Sequence, residues 1–325
     1  MISAVVYDAD GATAYADIER ARAATGTTWV RASNADADEL AAVADVFGIH
    51  PLSVEDVRRG VRPKSEDYPA HLFVLAKTAT LRGGETAFRD EILTRPVGLF
   101  VGSDWLVTMS THAPEPVERT WDAVGRGDER LLRSGPDFAA YRILDGIVDG
   151  YFDLLDEIER TIEEVEDGIL DGPDPDVLRS LNAVRRDLLS VRKLLWPTRE
   201  AIVPLARGDP DEIREPTEKY YRDVGDHLVQ LVDLTETYRD LASGARDIYL
   251  NTLSQSTNEV MKRLTVVATI ILPLSFVVGV YGMNFGEGAY NMPELRWTFG
   301  YPAVMIGMAA VAVILLTYFR NEGWL

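Results

Sequence analysis

The groups in this chain that can do chemistry are carboxylates and amides. Aspartate and glutamate supply 52 of the 325 residues against 33 lysines and arginines, a formal charge of −19. Zero cysteines remove disulfides, thiolate metal sites and cysteine nucleophiles. The four histidines (His50, His71, His112, His227) are scattered, and no pair has the spacing of a zinc-binding helix; each reads as a surface or satisfied core histidine. No phosphate-cradling glycine loop follows a strand-like run, and no Ser/His/Asp array or isolated carboxyl pair stands out. The chain therefore does not read as an enzyme. Its acidity also argues against nucleic acid as a partner, because binding there needs cations that neutralise phosphates. What is left is cation chemistry, since an acidic excess can draw counter-cations, although it can equally be plain solubility. Five lysines against 28 arginines, with abundant acids, point to a high-salt or high-GC prokaryote.

The acids are unevenly placed. From Asn258 onward four acids balance four bases, so the whole excess lies upstream. Between Asp145 and Asp176 there are thirteen acids and one base, Arg160. Asp145, Asp149, Asp153 and Glu157 recur every four residues and share one helix face, where like charges repel by a few tenths of a kcal/mol per pair. Arg179, Arg185, Arg186, Arg192 and Lys193 on the following helix are expected to relieve some of them.

The amides flank apolar sequence. Residues 264–285 and 297–319 are runs of 22 and 23 residues without a charge, each longer than the roughly 20 a helix needs to cross a bilayer. The chain thus predicts a two-span membrane hairpin. The loop 286–296 holds Glu287, Glu294 and Arg296, whereas Lys262, Arg263 and Arg320 flank the outer ends of the spans. The positive-inside rule then puts both termini in the cytoplasm. At a mean period of about 3.5 the first span presents Asn258, Met261, Leu264, Ala268, Leu272, Ser275, Gly279 and then Asn284, a narrow apolar face with an amide at each end. The same face reads equally as small-residue helix packing in lipid. Two spans cannot enclose a pore, so a conducting path requires several subunits in a ring.

Upstream, residues 1–136 alternate strand-like and amphipathic stretches, an α/β pattern. Strands are expected at 2–7, 27–32, 72–81, 92–101 and 105–110, and helices at 36–47 and 114–124. Residues 137–216 read as an acidic helical hairpin, with helices at 137–170 and 177–196 separated by Asp171-Gly172-Pro173-Asp174-Pro175. A long stalk helix over 217–263 leads into the first span, the external loop 286–296, the second span and a tail at 320–325. Residues 1–8 lack the basic and long apolar regions of a signal peptide, so the soluble part is expected to stay in the cytoplasm.

Tyr281-Gly282-Met283-Asn284 at the outer end of the first span, followed by Met292-Pro293-Glu294-Leu295 in the loop and a short charged tail, resembles the CorA family of magnesium channels. The resemblance is clearest over 145–325. It extends more faintly to His50-Pro51-Leu52 and Glu55-Asp56-Val57. It implies an α/β cytoplasmic domain, long α-helices and a two-helix transmembrane hairpin, assembled as a funnel-shaped homopentamer in a prokaryotic cytoplasmic membrane. It further implies passive, potential-driven Mg²⁺ uptake, with Co²⁺ as a further ion. Gly282, Met283 and Asn284 would form the outer signature, where five Asn284 carbonyls hold a hydrated Mg²⁺, an ion that dehydrates reluctantly. Asn258 would form the inner polar ring, and Met261 and Leu264 the constriction. Leu272 and Ser275 stand where other members carry methionine and threonine, and 286–291 is longer than the usual link, which alters the expected pore middle and mouth. Asp56 and Asp223 would share a regulatory Mg²⁺ across a subunit boundary, with Glu55 and Asp145 at a second site. A Co²⁺, Ni²⁺ or Zn²⁺ transporter of the same architecture is one alternative, and a non-transporting membrane-anchored sensor is another. The related zinc branch usually replaces the signature methionine, which is kept here as Met283.

Asn284→Ala is expected to cut Mg²⁺ uptake to below about a tenth while the protein still assembles, because a ring of carbonyls is lost at once. Ion flux beside a size-exclusion profile of the same preparation checks it; wild-type flux would remove Asn284 from the mechanism.

Overall fold

The computed structural model describes residues 1–81, 92–172, 174–283 and 292–324, arranged in two compact units, 1–246 and 247–325. In the first unit, β1 (Ile2–Asp8), β2 (Gly11–Tyr15), α1 (Ile18–Arg22), β3 (Thr27–Ser33), α2 (Ala37–Phe47), α3 (Pro51–Arg59), β4 (Lys64–Tyr68), β5 (His71–Leu81), β6 (Ile92–Val101) and β7 (Trp105–Ser110) build a seven-stranded sheet of order β2-β1-β3-β7-β6-β5-β4. Its β3–β7 pair is parallel and its other pairs antiparallel. Five of these strands are the ones the alternation predicts. The two that sequence reading passes over, β2 and β4, are the edges: both short and without a buried residue, and β4 polar throughout. An edge strand needs no apolar face to be paired, and polar residues there discourage pairing with a second chain.

Both sheet faces are covered, which follows from the two-residue period of the strands. Leu72, Val74 and Ala76 of β5 point into one core with Val97, Leu99 and Val101 of β6. Phe73, Leu75 and Phe100 point into the other, where α2 and α3 add Leu40, Val43, Phe47, Val54 and Val57. Gly98 sets how closely α3 approaches, since a Cβ there would stand 2.4 Å from Val57 Cγ2. The opposite face takes α4 (Glu115–Gly125), α5 (Glu129–Leu132), α6 (Pro136–Asp171), α7 (Pro175–Arg207) and the start of α8 (Glu215–Tyr281).

α7 overturns one expectation. It does not stop before Pro197 but runs through Pro197 and Pro204 to Arg207. A proline inside a helix forfeits one hydrogen bond. Here the residues on either side, Leu194, Leu195, Ala201, Ile202 and Leu205, are buried, and Thr198 Oγ1 donates to the Leu194 carbonyl at 2.8 Å. Packing outweighs the local penalty.

The acidic stretch is partly relieved by nearby bases, Arg179 pairing with Asp176 at 2.6 Å. Glu157 pairs with Arg160 of its own helix, while Arg192 of α7 turns to Glu236 of α8.

The second unit holds the end of α8, a 3-10 turn at Pro293–Arg296 and α9 (Gly300–Asn321). The helix expected over 264–285 ends earlier, at Tyr281. The Gly282 amide still donates to Val278 O at 2.9 Å, but Met283 bonds to Val280 O, the tighter spacing of a fraying end. Likewise the second helix begins at Gly300 and not at Trp297. Lack of charge marks what a bilayer tolerates, whereas glycine and turn chemistry mark where the helix stops.

One buried charge joins α6 to the start of α8. Asp137 is fully buried, and its carboxylate accepts from the Arg214 backbone N–H at 3.1 Å and from two nitrogens of the Arg214 guanidinium. Tyr221 Oη donates to the Asp137 carbonyl at 2.8 Å. Arg214→Ala strands that charge and should cost about 3 kcal/mol, the low end for a broken buried pair because the guanidinium is half exposed. Thermal unfolding of purified protein checks this, with Arg214→Lys expected to lose less.

Candidate functional site

α3 carries two of the candidate carboxylates and is built to hold them still. Asp36 and His50 cap the starts of α2 and α3, His50 Nδ1 accepting from the Leu52 amide at 3.2 Å, and Pro51 occupies the first turn. Gly60, in the left-handed conformation at φ 60°, ends α3. Glu55 pairs with Arg59 one turn on, at 2.7 Å. Asp56 meets the ammonium of Lys64 on β4 at 2.7 Å, and the same ammonium meets Glu66 at 2.6 Å. Burial alone would pull the Lys64 pKa down, but its hydrogen bonds to Asp56 and Glu66 outweigh this and push it up. Tyr68 Oη donates to Glu66 at 2.9 Å and accepts from Ser53 Oγ at 2.9 Å, which fixes the network. Lys64 thus occupies the position at Asp56 that a cation would take. Sequence does not single out Lys64, because β4 has no apolar period and its place is set by pairing with β5.

Asp56 and Asp223 are not joined within one chain. Asp223 stands exposed on α8, near enough to Tyr141 for its charge to add to burial and Asp145 in pushing that phenol up to about 12.

Asp145 is instead gathered with Asp149 and His227: one ligand atom from each lies within 4.8 Å of the others. Asp145 and Asp149 stand one turn apart on α6, and His227 stands one turn beyond Asp223 on α8. Asp145 is half-buried, and burial followed by the charge of Asp149 raises its pKa. Tyr141 Oη donates to Asp145 at 3.3 Å. His227 Nδ1 is buried without a hydrogen-bond partner among the described residues. A histidine nitrogen beside two carboxylates offers an N/O set that suits Co²⁺, Ni²⁺ or Zn²⁺ as well as a partly hydrated Mg²⁺. The expectation that each histidine is a satisfied core or surface residue fails for His227, and also for His71, whose two ring nitrogens are buried unpartnered among the described residues. Sequence could point to Asp149 by its spacing from Asp145. It could not bring His227 to them, because that contact is between two helices.

In the second unit, Asn258, Met261, Leu264, Leu272, Ser275 and Gly279 are all exposed, and Ala268 is partly so. Val266 is buried, Lys262 donates to the Gly323 carbonyl at 2.5 Å, and the Lys262 ammonium lies 5.6 Å from the Trp324 ring. Positions two residues apart on a helix stand about 200° apart. The side turned toward the end of α9 is therefore roughly opposite the side that carries Leu264, Ala268 and Ser275. Only 6% of the most apolar window of each of α8 and α9 is buried within the chain. Gly282 and Met283 follow the end of α8 and are exposed. Asn284 and Glu287 lie outside the described residues, as does the side chain of Glu294, whose backbone is in the 3-10 turn.

An α/β unit with a long helix running to a pair of uncovered apolar helices defines a class of membrane transport protein. The profile of the CorA-like Mg²⁺ transporter protein family matches residues 24–321. The chain is 35% identical to the cobalt/magnesium transport protein CorA of Thermotoga maritima, over 92% of this chain and 83% of that one. It is 32% identical to the putative metal ion transporter YfjQ of Bacillus subtilis, over 91% and 89%. Its fold is similar to that of the CorA magnesium transporter of Methanocaldococcus jannaschii, with a TM-score of 0.82 at 24% identity over 100% of this chain and 99% of that one. The chain belongs to the CorA-like Mg²⁺ transporter family.

The raised pKa of Asp145 has a definite sign. In the folded protein without a divalent ion it lies above the unfolded value, so this contribution to stability is lost as pH rises through the interval between them, and at neutral pH the carboxylate is a cost. Asp145→Asn should raise the melting temperature in chelator at pH 7. Wild-type protein should gain about 2.7 kcal/mol at a Co²⁺ concentration one hundred times the dissociation constant, and both Asp145→Asn and His227→Ala should lose most of that gain. Melting curves in chelator and in Co²⁺ check it.

Proposed function

We propose that this chain is one subunit of a homopentameric channel that passes Mg²⁺ down the membrane potential across a prokaryotic cytoplasmic membrane. Residues 264–285 and 297–319 are the spans, 286–296 the external loop, and both termini are cytoplasmic. The observation that carries this reading is the exposed face of α8 from Asn258 to Gly279, which a single chain leaves uncovered. Five such faces around one axis would make a narrow apolar tube. Such a tube ends in neutral amides at Asn258 and Asn284 and can block a hydrated ion by dewetting at Met261 and Leu264.

Gating in this proposal comes from carboxylates that repel across a subunit boundary until a divalent ion bridges them. Asp56 and Asp223 hold one such ion, while Glu55 and Asp145 contribute to a second. The ion favours the closed ring only by its differential affinity for it. Lys64 tempers that affinity, because a divalent ion at Asp56 must displace an ammonium already paired there. Co²⁺ is a second reading with its own support: His227 beside Asp145 and Asp149 supplies a nitrogen ligand.

Purified protein in liposomes holding a Mg²⁺-sensitive dye, under an imposed potential, tests the proposal. Mg²⁺ should enter and Co²⁺ should compete; no flux of any divalent ion would overturn the channel reading. Met261→Asp should conduct even at high internal Mg²⁺. Asp56→Ala combined with Asp223→Ala should raise flux under the same condition, and unchanged Mg²⁺ dependence in that double variant would place the sensor elsewhere.

A further inference from the structure

Acids outnumber bases 52 to 33 in this chain, yet in one groove of the first unit every charged residue in the described lining is a base. It has a volume of about 650 Å³ and lies where α7 crosses the β4 end of the sheet. Its charged lining is Arg62 from the loop before β4, Lys77 from β5, and Arg192 and Lys193 from α7. Two of the five lysines of the chain are therefore gathered here.

Three of these four cations have no carboxylate partner among the described residues. Arg62 and Lys193 form no ion pair among the described residues. Lys77 is half-buried and, among the described residues, donates to the Gly60 carbonyl alone, at 2.7 Å, and burial lowers its pKa. Arg192 alone has an acid, Glu236, at 3.3 Å, and that acid is shared with Arg239. Beside the cations stands Trp196, 41% exposed although large and apolar. Its ring already has the Arg199 guanidinium 6.0 Å from its centre, and the exposed remainder makes a stacking platform with phosphate donors at its edge. The volume falls in the range of small-ligand sites.

We propose that this groove binds a nucleoside polyphosphate. The phosphates lie against Arg62, Lys77 and Lys193, to which charge-assisted hydrogen bonds can form, and the base lies on Trp196. The phosphate-binding half would accept inorganic polyphosphate as well, so the aromatic wall is what distinguishes a nucleotide. Among the described residues the groove offers no carboxylate to hold a metal. It therefore favours the metal-free polyphosphate over its Mg²⁺ complex, in which the ion already neutralises the oxygens the cations would meet. Occupancy would then rise as free Mg²⁺ falls, a link to transport that rests on the reading above, whereas nucleotide binding itself does not.

The test is calorimetric titration of the full-length protein in detergent with ATP and, separately, with inorganic triphosphate, both in chelator. ATP should bind saturably, one per chain, and more weakly at high salt. Arg62→Gln combined with Lys193→Gln, two exposed positions, should weaken both ligands about tenfold or more, the loss of at least one charge-assisted bond. Trp196→Leu should weaken ATP and leave triphosphate unchanged. Absence of saturable binding of either ligand, or binding unaltered in the double variant, overturns the site. Equal effects of Trp196→Leu on both ligands overturn the nucleoside assignment. Binding of the Mg²⁺ complex as tight as that of free ATP overturns the metal-free preference. Loss of ion flux with binding intact would count against the transport proposal and leave this one standing.

Discussion

The structure depends first on apolar surface that one chain cannot cover. α8 and α9 present their most apolar windows 6% buried, and at roughly 25 cal/mol per Å² of apolar surface no soluble fold leaves two such helices in water. Hydrocarbon can cover most of that area. Within the run 264–285 Ser275 is less well suited to lipid, because a polar group transferred there without a partner is costly. In the proposed channel, copies of the chain with water between them would cover that side of α8.

The first unit obeys a different constraint. Its sheet is covered on both faces, so every close approach must be accommodated within the chain. Gly98 lets α3 settle against β6, with Val57 where a larger residue would intrude. The buried carboxylate of Asp137, satisfied by Arg214, pins the start of α6 to the residues that lead into α8. The carboxylates proposed to sense ions are thus carried on elements that the core fixes in place: Asp56 on α3, Asp145 on α6 and Asp223 on α8.

Charge in this unit is organised rather than merely abundant. Many acids of α6 are exposed, whereas at Asp145 burial and a neighbouring carboxylate combine to disfavour the ionised form. At Asp56 the opposite solution is used, with Lys64 supplying a resident cation. One site would gain from a divalent ion by relief of a cost, while the other must exchange one positive charge for another. Such a pair of sites need not have equal affinities, since each starts from a different unbound state.

The amino-acid sequence by itself determined what depends on local period and composition. The uncharged runs 264–285 and 297–319 marked both apolar helices, and the alternation of β5, β6 and β7 marked their bounds to within a residue. The Gly282-Met283-Asn284 signature marked the family. Only tertiary structure decided what depends on packing between distant segments. The edge strands β2 and β4 carry no apolar period, because pairing alone holds them. α7 passes Pro197 and Pro204 because buried leucines and isoleucine on both sides outweigh two lost hydrogen bonds. His227 comes to Asp145 and Asp149, Lys64 to Asp56, and Arg62 to Lys193, across 82, 8 and 131 residues respectively. Side-chain chemistry can be read one residue at a time, but a site is made by juxtaposition, and for the two wider separations no local pattern records which helix will meet which.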